Sequence, residues 1–233
     1  RTVEPTDLNE LINTFCASGV DLDGDAISDC DSTTTIVEHA PLLLVQKSGL
    51  PATASVGDTV DYTVTVEHAS GSDGSPVDIT DVNDSLGITL SGPSGDDGDG
   101  LLEESEIWTY TGSREVLPAD PENLINEVCV TGDDLDGDAV EDCDSTTTSI
   151  EHAPVLLVEK AGVPSIANVG NTIAYLVTVR HDPSSDNSPV DITNVNDSLG
   201  IILSGPSGDN GNGLLEEGET WTYTGSREVL PQD

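Results

Sequence analysis

The chain has 233 residues, of which 45 are Asp or Glu and only 6 are Lys or Arg, so its formal net charge is −39. Nucleic acid and anionic membrane surfaces are poor partners for it, because both need basic residues for binding. Such self-repulsion opposes a compact state unless high salt or bound cations offset it. Aromatic residues make up 3% of the chain, so any core must consist of Val, Leu and Ile. The longest apolar run, Leu42–Val45, is far too short for membrane insertion.

The sequence repeats itself almost without gaps. Glu38-His39-Ala40-Pro41 returns as Glu151-His152-Ala153-Pro154, a shift of 113 positions from residue 38 to residue 151. The opening heptapeptide RTVEPTD matches Arg114–Asp120 and Arg227–Asp233, so the chain opens with the last part of a repeat unit. We therefore predict three parts: an N-terminal hairpin over 1–37, equivalent to 114–150; a complete repeat over 38–152; and a second repeat over 153–233 that lacks its last two strands.

Short strands separated by Gly, Pro, Asp and Ser fill the complete repeat, and no long amphipathic helix is visible. Alternation is clearest at 59–68, where one face carries Val60, Tyr62, Val64 and Val66. We expect Trp108 and Tyr110 to share a face, and Ile125 to be buried with Val128 or Cys129. The seven predicted strands are Leu42–Lys47, Thr59–His68, Val77–Val82, Ile88–Leu90, Ile107–Val116, Leu124–Thr131 and Ser145–Glu151. This pattern predicts an all-β fold of two antiparallel immunoglobulin-like β-sandwich repeats.

The last two strands of a repeat stand at the start of this chain and are missing from its end. Residues 8–37 correspond to 121–150, whereas the second repeat has no such hairpin after its Trp221 strand. Alone, that repeat would expose an open edge and an uncovered core, which is an aggregation hazard. A hairpin from another copy would repair it, so we expect head-to-tail assembly of copies of this chain. The alternative is a window from a longer tandem protein; the missing initiator Met and signal peptide suggest a mature or processed fragment.

Four cysteines form two equivalent pairs with the same spacing. Cys16 and Cys30 recur as Cys129 and Cys143, which predicts a local disulfide in each copy and an oxidising, extracellular setting. Buried free thiols are the alternative. A zinc site fits poorly, since the spacing is wrong for CxxC knuckles and no His is nearby.

Acidic residues at every second position form the first candidate calcium loop. Carboxylates so spaced can converge on one hard cation, and calcium accepts six to eight oxygens in irregular geometry. The motif resembles the Asp-rich calcium loops of thrombospondin type 3 repeats, and also the start of an EF-hand loop, although Ala26 replaces the usual glycine. The alternative is a solvated acidic turn. The predicted ligands are Asp21, Asp23, Asp25, Asp29 and Asp31, repeated as Asp134, Asp136, Asp138, Asp142 and Asp144.

A second candidate calcium loop precedes each tryptophan. It is similar to an EF-hand loop, although Gly95 stands at the first position, where Asp96 can substitute. Asn210 and Asn212 keep oxygen donors in the second copy but reduce its charge, so we expect weaker binding there. The predicted ligands are Asp96, Asp97, Asp99 and Glu106, then Asp209, Asn210, Asn212 and Glu219. A third ion is conceivable at Asp78, Asp81 and Asp84, with Asp191 and Asp197 in the copy.

The remaining motifs point away from catalysis. No His lies in a nucleophile motif, and phosphate-binding, HExxH and GxSxG motifs are all missing, so we expect no enzyme. Lys47 and Lys160, the only lysines, suggest either ordinary salt bridges or Lys–Asn isopeptide crosslinks of the kind found in some pilin and adhesin domains. Asn83 and Asn196 begin glycosylation sequons, so glycans are possible.

The ordered set of motifs is similar to the tandem immunoglobulin-like repeats of large bacterial and archaeal surface proteins. The resemblance is carried by Val56–Val66, Pro76–Val82 and the acidic loop leading to Trp108, and it covers both repeats. It implies a secreted or wall-attached stalk, fibre or adhesin. We therefore expect a calcium-rigidified structural subunit of an extracellular filament or surface stalk. The alternatives are an adhesin repeat that presents or binds a ligand and the appendage of an enzyme.

Overall fold

The computed structural model describes residues 1–233 as fourteen β-strands without a helix. It therefore contains no helix of the length and apolarity needed to cross a bilayer. The strands are β1 Glu10–Val20, β2 Ala26–Ile36, β3 Leu43–Leu50, β4 Thr53–Ser55, β5 Thr59–His68, β6 Asp78–Asp84, β7 Ser91–Ser94, β8 Trp108–Glu115, β9 Asn123–Asp133, β10 Ala139–Glu151, β11 Leu156–Val163, β12 Thr172–His181, β13 Ser204–Ser207 and β14 Trp221–Glu228.

The chain divides into two compact units. Unit 1 comprises Arg1–Ala52, Val60–Arg114 and Ile125–Thr148. Unit 2 comprises Thr53–Thr59, Glu115–Leu124 and Ser149–Asp233. The boundaries fall inside long strands, and the three-part division drawn from the repeat stays a prediction.

Unit 1 contains a β-sandwich, as the sequence predicted. One sheet has the order β3-β5-β8-β7, and β10, β9 and β6 are neighbours in the other. The alternating residues of β5 point inward and are buried, and Trp108 and Tyr110 are buried on one face of β8, which confirms both predictions. The core joins both sheets and comprises Leu43, Val45, Val64, Val66, Val77, Leu102, Trp108, Tyr110, Val128 and Val130.

The N-terminal hairpin, also in unit 1, has no sheet against it. Strands β1 and β2 pair antiparallel from Glu10↔Ile36 to Val20↔Ala26 and form a two-stranded sheet of their own. Except for the partly buried Leu11, every residue of both strands is exposed. A two-stranded hairpin is at best marginally stable in water, so this element lacks the packing that normally supports a sheet.

Unit 2 contains a single four-stranded sheet of order β11-β12-β14-β13. Its small core comprises Val177, Val179, Leu215, Trp221 and Tyr223. The segment 191–197, which corresponds to β6 in the repeat, forms no strand; only Val190 makes an isolated bridge, to Leu215. Within the same unit, β4 pairs parallel with the end of β10, from Thr53↔Ser149 to Ser55↔Glu151.

Two strand predictions were wrong in detail. Ile88–Leu90 forms no strand; the strand is Ser91–Ser94, whose Gly-Pro-Ser residues read as a turn. Proline is tolerated there because β7 is an edge strand. Ile125 is exposed rather than buried, because the inward positions of β9 are Leu124, Asn126, Val128 and Val130. Because the inward residue Asn126 is polar, the sequence alone does not show which residues of β9 face the core.

Candidate assembly interface and acidic loops

The hairpin β9–β10 shows how a repeat closes its sandwich. Val128 and Val130 of β9 are fully buried and join the core formed by the opposite sheet of unit 1. Val140 of β10 packs against the same core. On its other edge, β9 pairs with β6, from Asp78↔Asp133 to Asp84↔Val128. The hairpin thus buries the apolar core of the sandwich and also supplies the strand that pairs with β6.

Three aspartates of this hairpin also fix it to the opposite sheet. Asp142 Oδ2 accepts a hydrogen bond from the backbone N–H of Val45 at 2.7 Å, and Asp144 Oδ2 accepts one from Lys47 at 2.6 Å. Near the hairpin turn, Asp136 Oδ2 accepts from the backbone N–H of His39 at 2.6 Å. Asp142 and Asp144 thus cover the outer edge of β3, which has no neighbouring strand on that side, and Asp136 bonds the segment just before β3. Sequence reasoning assigned them only to a calcium loop and missed this role.

Both predicted disulfides are present. Cys16 pairs with Cys30, which lies directly opposite it in the ladder of the N-terminal hairpin, and Cys129 pairs with Cys143. No free cysteine remains. Each disulfide therefore ties together the two strands of one hairpin.

The N-terminal hairpin, named the donor hairpin here (residues 10–36), repeats β9–β10 at a shift of 113 positions. Phe15 takes the place of Val128 and Ala17 that of Val130. The Phe15 side chain is 75% exposed, whereas Val128 is 0% exposed. Ile27, in the place of Val140, is also exposed. The donor hairpin therefore presents the apolar residues that its counterpart buries.

Unit 2 has a partly open apolar face, named the acceptor face here, in which Leu156 and Val158 are exposed while Val177 and Val179 are buried. It is lined by Leu156, Val158, Val177, Val179, Ile192 and Leu203, together with Lys160 and 194–198. Val158 is 57% exposed, although its equivalent Val45 in the closed sandwich is only 3% exposed. The apolar residues are identical in type to their counterparts Leu43, Val45, Val64, Val66, Ile79 and Leu90. The acceptor face therefore reproduces the surface that β9–β10 covers in unit 1.

The two lysines occupy the same position in a closed and an open repeat. Lys47 Nζ lies 2.6 Å from Asp84 Oδ2, and both side chains are buried. Lys160 makes the same ion pair with Asp197, but its side chain is 38% exposed. The hydrogen bond from Lys160, with help from the backbone N–H of Leu199, holds the pKa of Asp197 below its ordinary value. Each lysine thus forms the ordinary salt bridge of the two alternatives.

The acidic loop before Trp108 brings carboxylates together. Oxygens of Asp97, Glu103 and Glu106 lie within 4.8 Å of one another, as do those of Asp96, Asp97 and Asp99. Partial desolvation, then the charges of Asp99 and Asp97, raises the pKa of Glu103 above its ordinary value. The buried Glu106 accepts hydrogen bonds from the backbone N–H of Asp97 at 2.8 Å and from Trp108 Nε1 at 3.0 Å. These oxygen donors could together hold a metal ion, and Glu103, which was not among the predicted ligands, is one of them.

The copy of this loop is held by the same internal hydrogen bonds. Glu219 accepts from the backbone N–H of Asn210 at 3.0 Å and from Trp221 Nε1 at 3.1 Å. Asp209 Oδ1 accepts from the backbone N–H groups of Gly211 and Gly213. Asn212 Oδ1 accepts from the backbone N–H of Leu214 at 2.9 Å. Calcium at this copy stays a prediction.

The loop at each hairpin turn arranges its carboxylates differently. Asp134 Oδ1 accepts hydrogen bonds from the backbone N–H groups of Asp136 and Asp138, at 2.8 and 2.9 Å, and Asp21 does the same for Asp23 and Asp25. One carboxylate therefore orders each turn. Asp29 and Asp31 are exposed on β2. Calcium at Asp21–Asp31 and Asp134–Asp144 stays a prediction.

Both sequon asparagines are exposed. Asn83 lies on β6 and Asn196 lies in the segment 191–197. Asn196 also lines the acceptor face. Glycosylation at either position remains a prediction.

Comparison with known proteins adds little beyond this geometry. No family model and no curated protein matches the chain. Among solved structures, the Yersinia pseudotuberculosis adhesin InvE aligns at 15% identity and a TM-score of 0.35, covering 78% of this chain and 50% of its own. The Escherichia coli adhesin FdeC aligns at 13% identity and a TM-score of 0.24, covering 94% of this chain and 78% of its own. The chain thus spans half the length of InvE, and similarities this low carry no argument about function.

Proposed function

We propose that this chain is a non-catalytic structural subunit of an extracellular filament or surface stalk. Copies join head to tail when the donor hairpin of one copy covers the acceptor face of the next. The observation that carries the proposal is the partly exposed apolar face of unit 2, since its residues match core residues of the closed sandwich in unit 1. Two disulfides support an oxidising, extracellular location.

The fit between donor and acceptor rests on apolar burial and on volume. Phe15 is larger than Val128, and Ala17 is smaller than Val130. Phe15 and Ala17 together therefore have about the same side-chain volume as Val128 and Val130, and the apolar residues that they would contact on the acceptor face are the same as in unit 1. Volume-conserving apolar changes are the ones that a packed core tolerates best. Exposed apolar surface on both elements supplies the driving force for their association.

Calcium is part of the proposal as a stiffening ion. Asp97, Glu103 and Glu106, whose oxygens lie close together, would hold it with carboxylate oxygens, which calcium prefers. A bound divalent cation would offset the repulsion among these groups and restrict the loop before β8. Because it would bind the folded loop better than the unfolded chain, it would stabilise the subunit.

The second candidate is an adhesin repeat within a longer surface protein. In that case the acceptor face would be covered by the continuing chain rather than by a second copy. The continuous repeat of the sequence supports this candidate as well, because tandem arrays repeat in the same way.

Two substitutions test head-to-tail assembly directly. Phe15→Asp should disable the donor hairpin and Val158→Asp the acceptor face, and neither should unfold the chain because both side chains are exposed. We expect filaments from the unmodified chain by electron microscopy, monomers from each variant alone, and a heterodimer from their mixture by analytical ultracentrifugation. The mixture stops at two copies because only one joint remains intact.

Matched controls exist on the opposite faces. Ile12 and Leu176 are also exposed, at 67% and 45%, but their equivalents Ile125 and Thr63 remain exposed in the closed sandwich. Ile12→Asp and Leu176→Asp should therefore assemble normally. A monomeric unmodified chain at high concentration would reject self-assembly and favour the repeat of a longer protein.

A further inference from the structure

The donor hairpin carries aspartates at the positions that fix β9–β10 in unit 1. Asp23, Asp29 and Asp31 are equivalent to Asp136, Asp142 and Asp144. Asp142 and Asp144 accept hydrogen bonds from backbone N–H groups of the facing β3 edge, at 2.7 and 2.6 Å, and Asp136 accepts one from His39, just before β3, at 2.6 Å. In all three pairs donor and acceptor are 97 positions apart, so the contacts form one register rather than three accidents.

The facing edge of unit 2 offers the same three donors. His152, Val158 and Lys160 are equivalent to His39, Val45 and Lys47. Val158 and Lys160 lie on β11, an edge strand, where they pair with Val179 and Val177 of β12 as Val45 and Lys47 pair with Val66 and Val64 of β5. Their outward N–H groups therefore face away from the sheet, as those of Val45 and Lys47 do. An uncovered edge of this kind invites pairing with another strand.

Resting on the function proposed above, we infer that Asp23, Asp29 and Asp31 form a polar latch that sets the register of the joint between copies. Asp29 accepts from the N–H of Val158, Asp31 from that of Lys160, and Asp23 from that of His152 in the next copy. The latch covers the β11 edge with side chains, so the donor hairpin packs across the β11 sheet and adds no strand to its β11 edge.

The latch also accounts for carboxylates at a joint between two strongly anionic chains. With a net charge of −39 on each copy, unpaired aspartates there would oppose association. Hydrogen bonds from backbone N–H groups to a carboxylate are stronger than bonds between neutral groups, and they give each charge a partner. A shift by one residue would place neutral side chains opposite these N–H groups and turn Phe15 away from the core.

The test uses the full-length chain with one joint left intact. The acceptor partner carries Phe15→Asp, the donor partner carries Val158→Asp, and their dissociation constant is measured by analytical ultracentrifugation in EDTA, which removes any contribution from calcium. Adding Asp29→Ala and Asp31→Ala to the donor partner should raise the dissociation constant about 10- to 100-fold. Asp29→Asn and Asp31→Asn should retain most of the binding, because the amide oxygen still accepts the hydrogen bonds.

Glu10→Ala serves as the matched control, because it removes one carboxylate from the same hairpin at a position whose equivalent, Asn123, is exposed. It should leave the dissociation constant unchanged. Equal affinity of the alanine and parent donors would overturn the latch but leave hairpin donation standing. No binding even between the two parent partners would overturn hairpin donation, and the latch with it.

Discussion

Single residues show what closure does to a repeat. Lys47 and Asp84 form an ion pair with both side chains fully withdrawn from water, and Lys47 Nζ lies 5.0 Å from the ring centre of Tyr62. In the open repeat, Lys160 keeps its aspartate and its tyrosine, at 4.7 Å from the ring centre of Tyr175, but remains accessible to water. The same three residue types therefore report whether a hairpin covers the sheet.

This difference predicts unequal costs for removing the two lysines. Lys47→Met should lower the free energy of unfolding by about 3–5 kcal/mol, because it leaves Asp84 buried without its partner. Lys160→Met should cost clearly less in the monomeric Phe15→Asp background, because the Lys160 side chain is 38% exposed and water can take its place beside Asp197. Urea denaturation followed by tryptophan fluorescence measures both. Equal costs would mean that burial does not distinguish the two pairs.

At the scale of elements, the segment 191–197 is the counterpart of strand β6 without the strand that β6 pairs with. Its counterpart β6 pairs with β9, whereas 191–197 has no equivalent of β9 beside it and forms no strand. In the proposed joint the donor strand β1 takes that place, with Val195 opposite Ala17 and Asp197 opposite Phe15. Folding of this segment would then accompany docking.

Hydrogen exchange tests this coupling. The backbone amides of 191–197 should exchange rapidly in the Phe15→Asp monomer and slowly in the heterodimer with the Val158→Asp partner, because ladder hydrogen bonds protect them. The amides of β6 provide the internal reference, since they are paired in both states. Rapid exchange of 191–197 in the heterodimer would show that the donor hairpin does not extend this sheet.

The elements also show how far the sequence alone reaches. Alternation in β5 and the β8 pair of Trp108 and Tyr110 was predictable, because side chains on a strand change face at every residue. The phase of β9 was not, since Asn126 occupies an inward position, and neither was β7, whose Gly-Pro-Ser sequence resembles a turn. The contacts of Asp136, Asp142 and Asp144 depend on which strand faces them, and that information is absent from local spacing.

For the whole molecule, the net charge of −39 makes stability depend on pH and on bound cations. The raised pKa of Glu103 means that the folded loop binds a proton more tightly than the unfolded chain does. Its contribution to stability is therefore present below the ordinary glutamate pKa and is lost as pH rises through the raised value. Without calcium, the loop before Trp108 should thus be least stable near neutral pH, where calcium has the most repulsion to relieve.

Calorimetry can separate these effects. In EDTA, we expect mild acidification towards the raised Glu103 pKa to stabilise this loop, and at neutral pH we expect millimolar calcium to raise the melting temperature. Asp97 belongs to both carboxylate clusters of this loop, the one with Asp96 and Asp99 and the one with Glu103 and Glu106. Asp97→Asn should therefore lower by one the number of calcium ions bound per chain, as measured by titration calorimetry. Asp61→Asn removes the same charge from the exposed face of β5 and should leave the ion count unchanged. An unchanged count in Asp97→Asn would reject calcium at this loop.

The repeated hairpin has a mechanical consequence. In the proposed filament, each chain would contain one sandwich closed by its own hairpin through a continuous backbone and one acceptor face closed only by contacts with another copy. Under tension, a filament built this way would rupture at every second sandwich, where no covalent bond resists. Its fragments would contain whole chains, so stretching single filaments should release them in lengths that are multiples of two repeats.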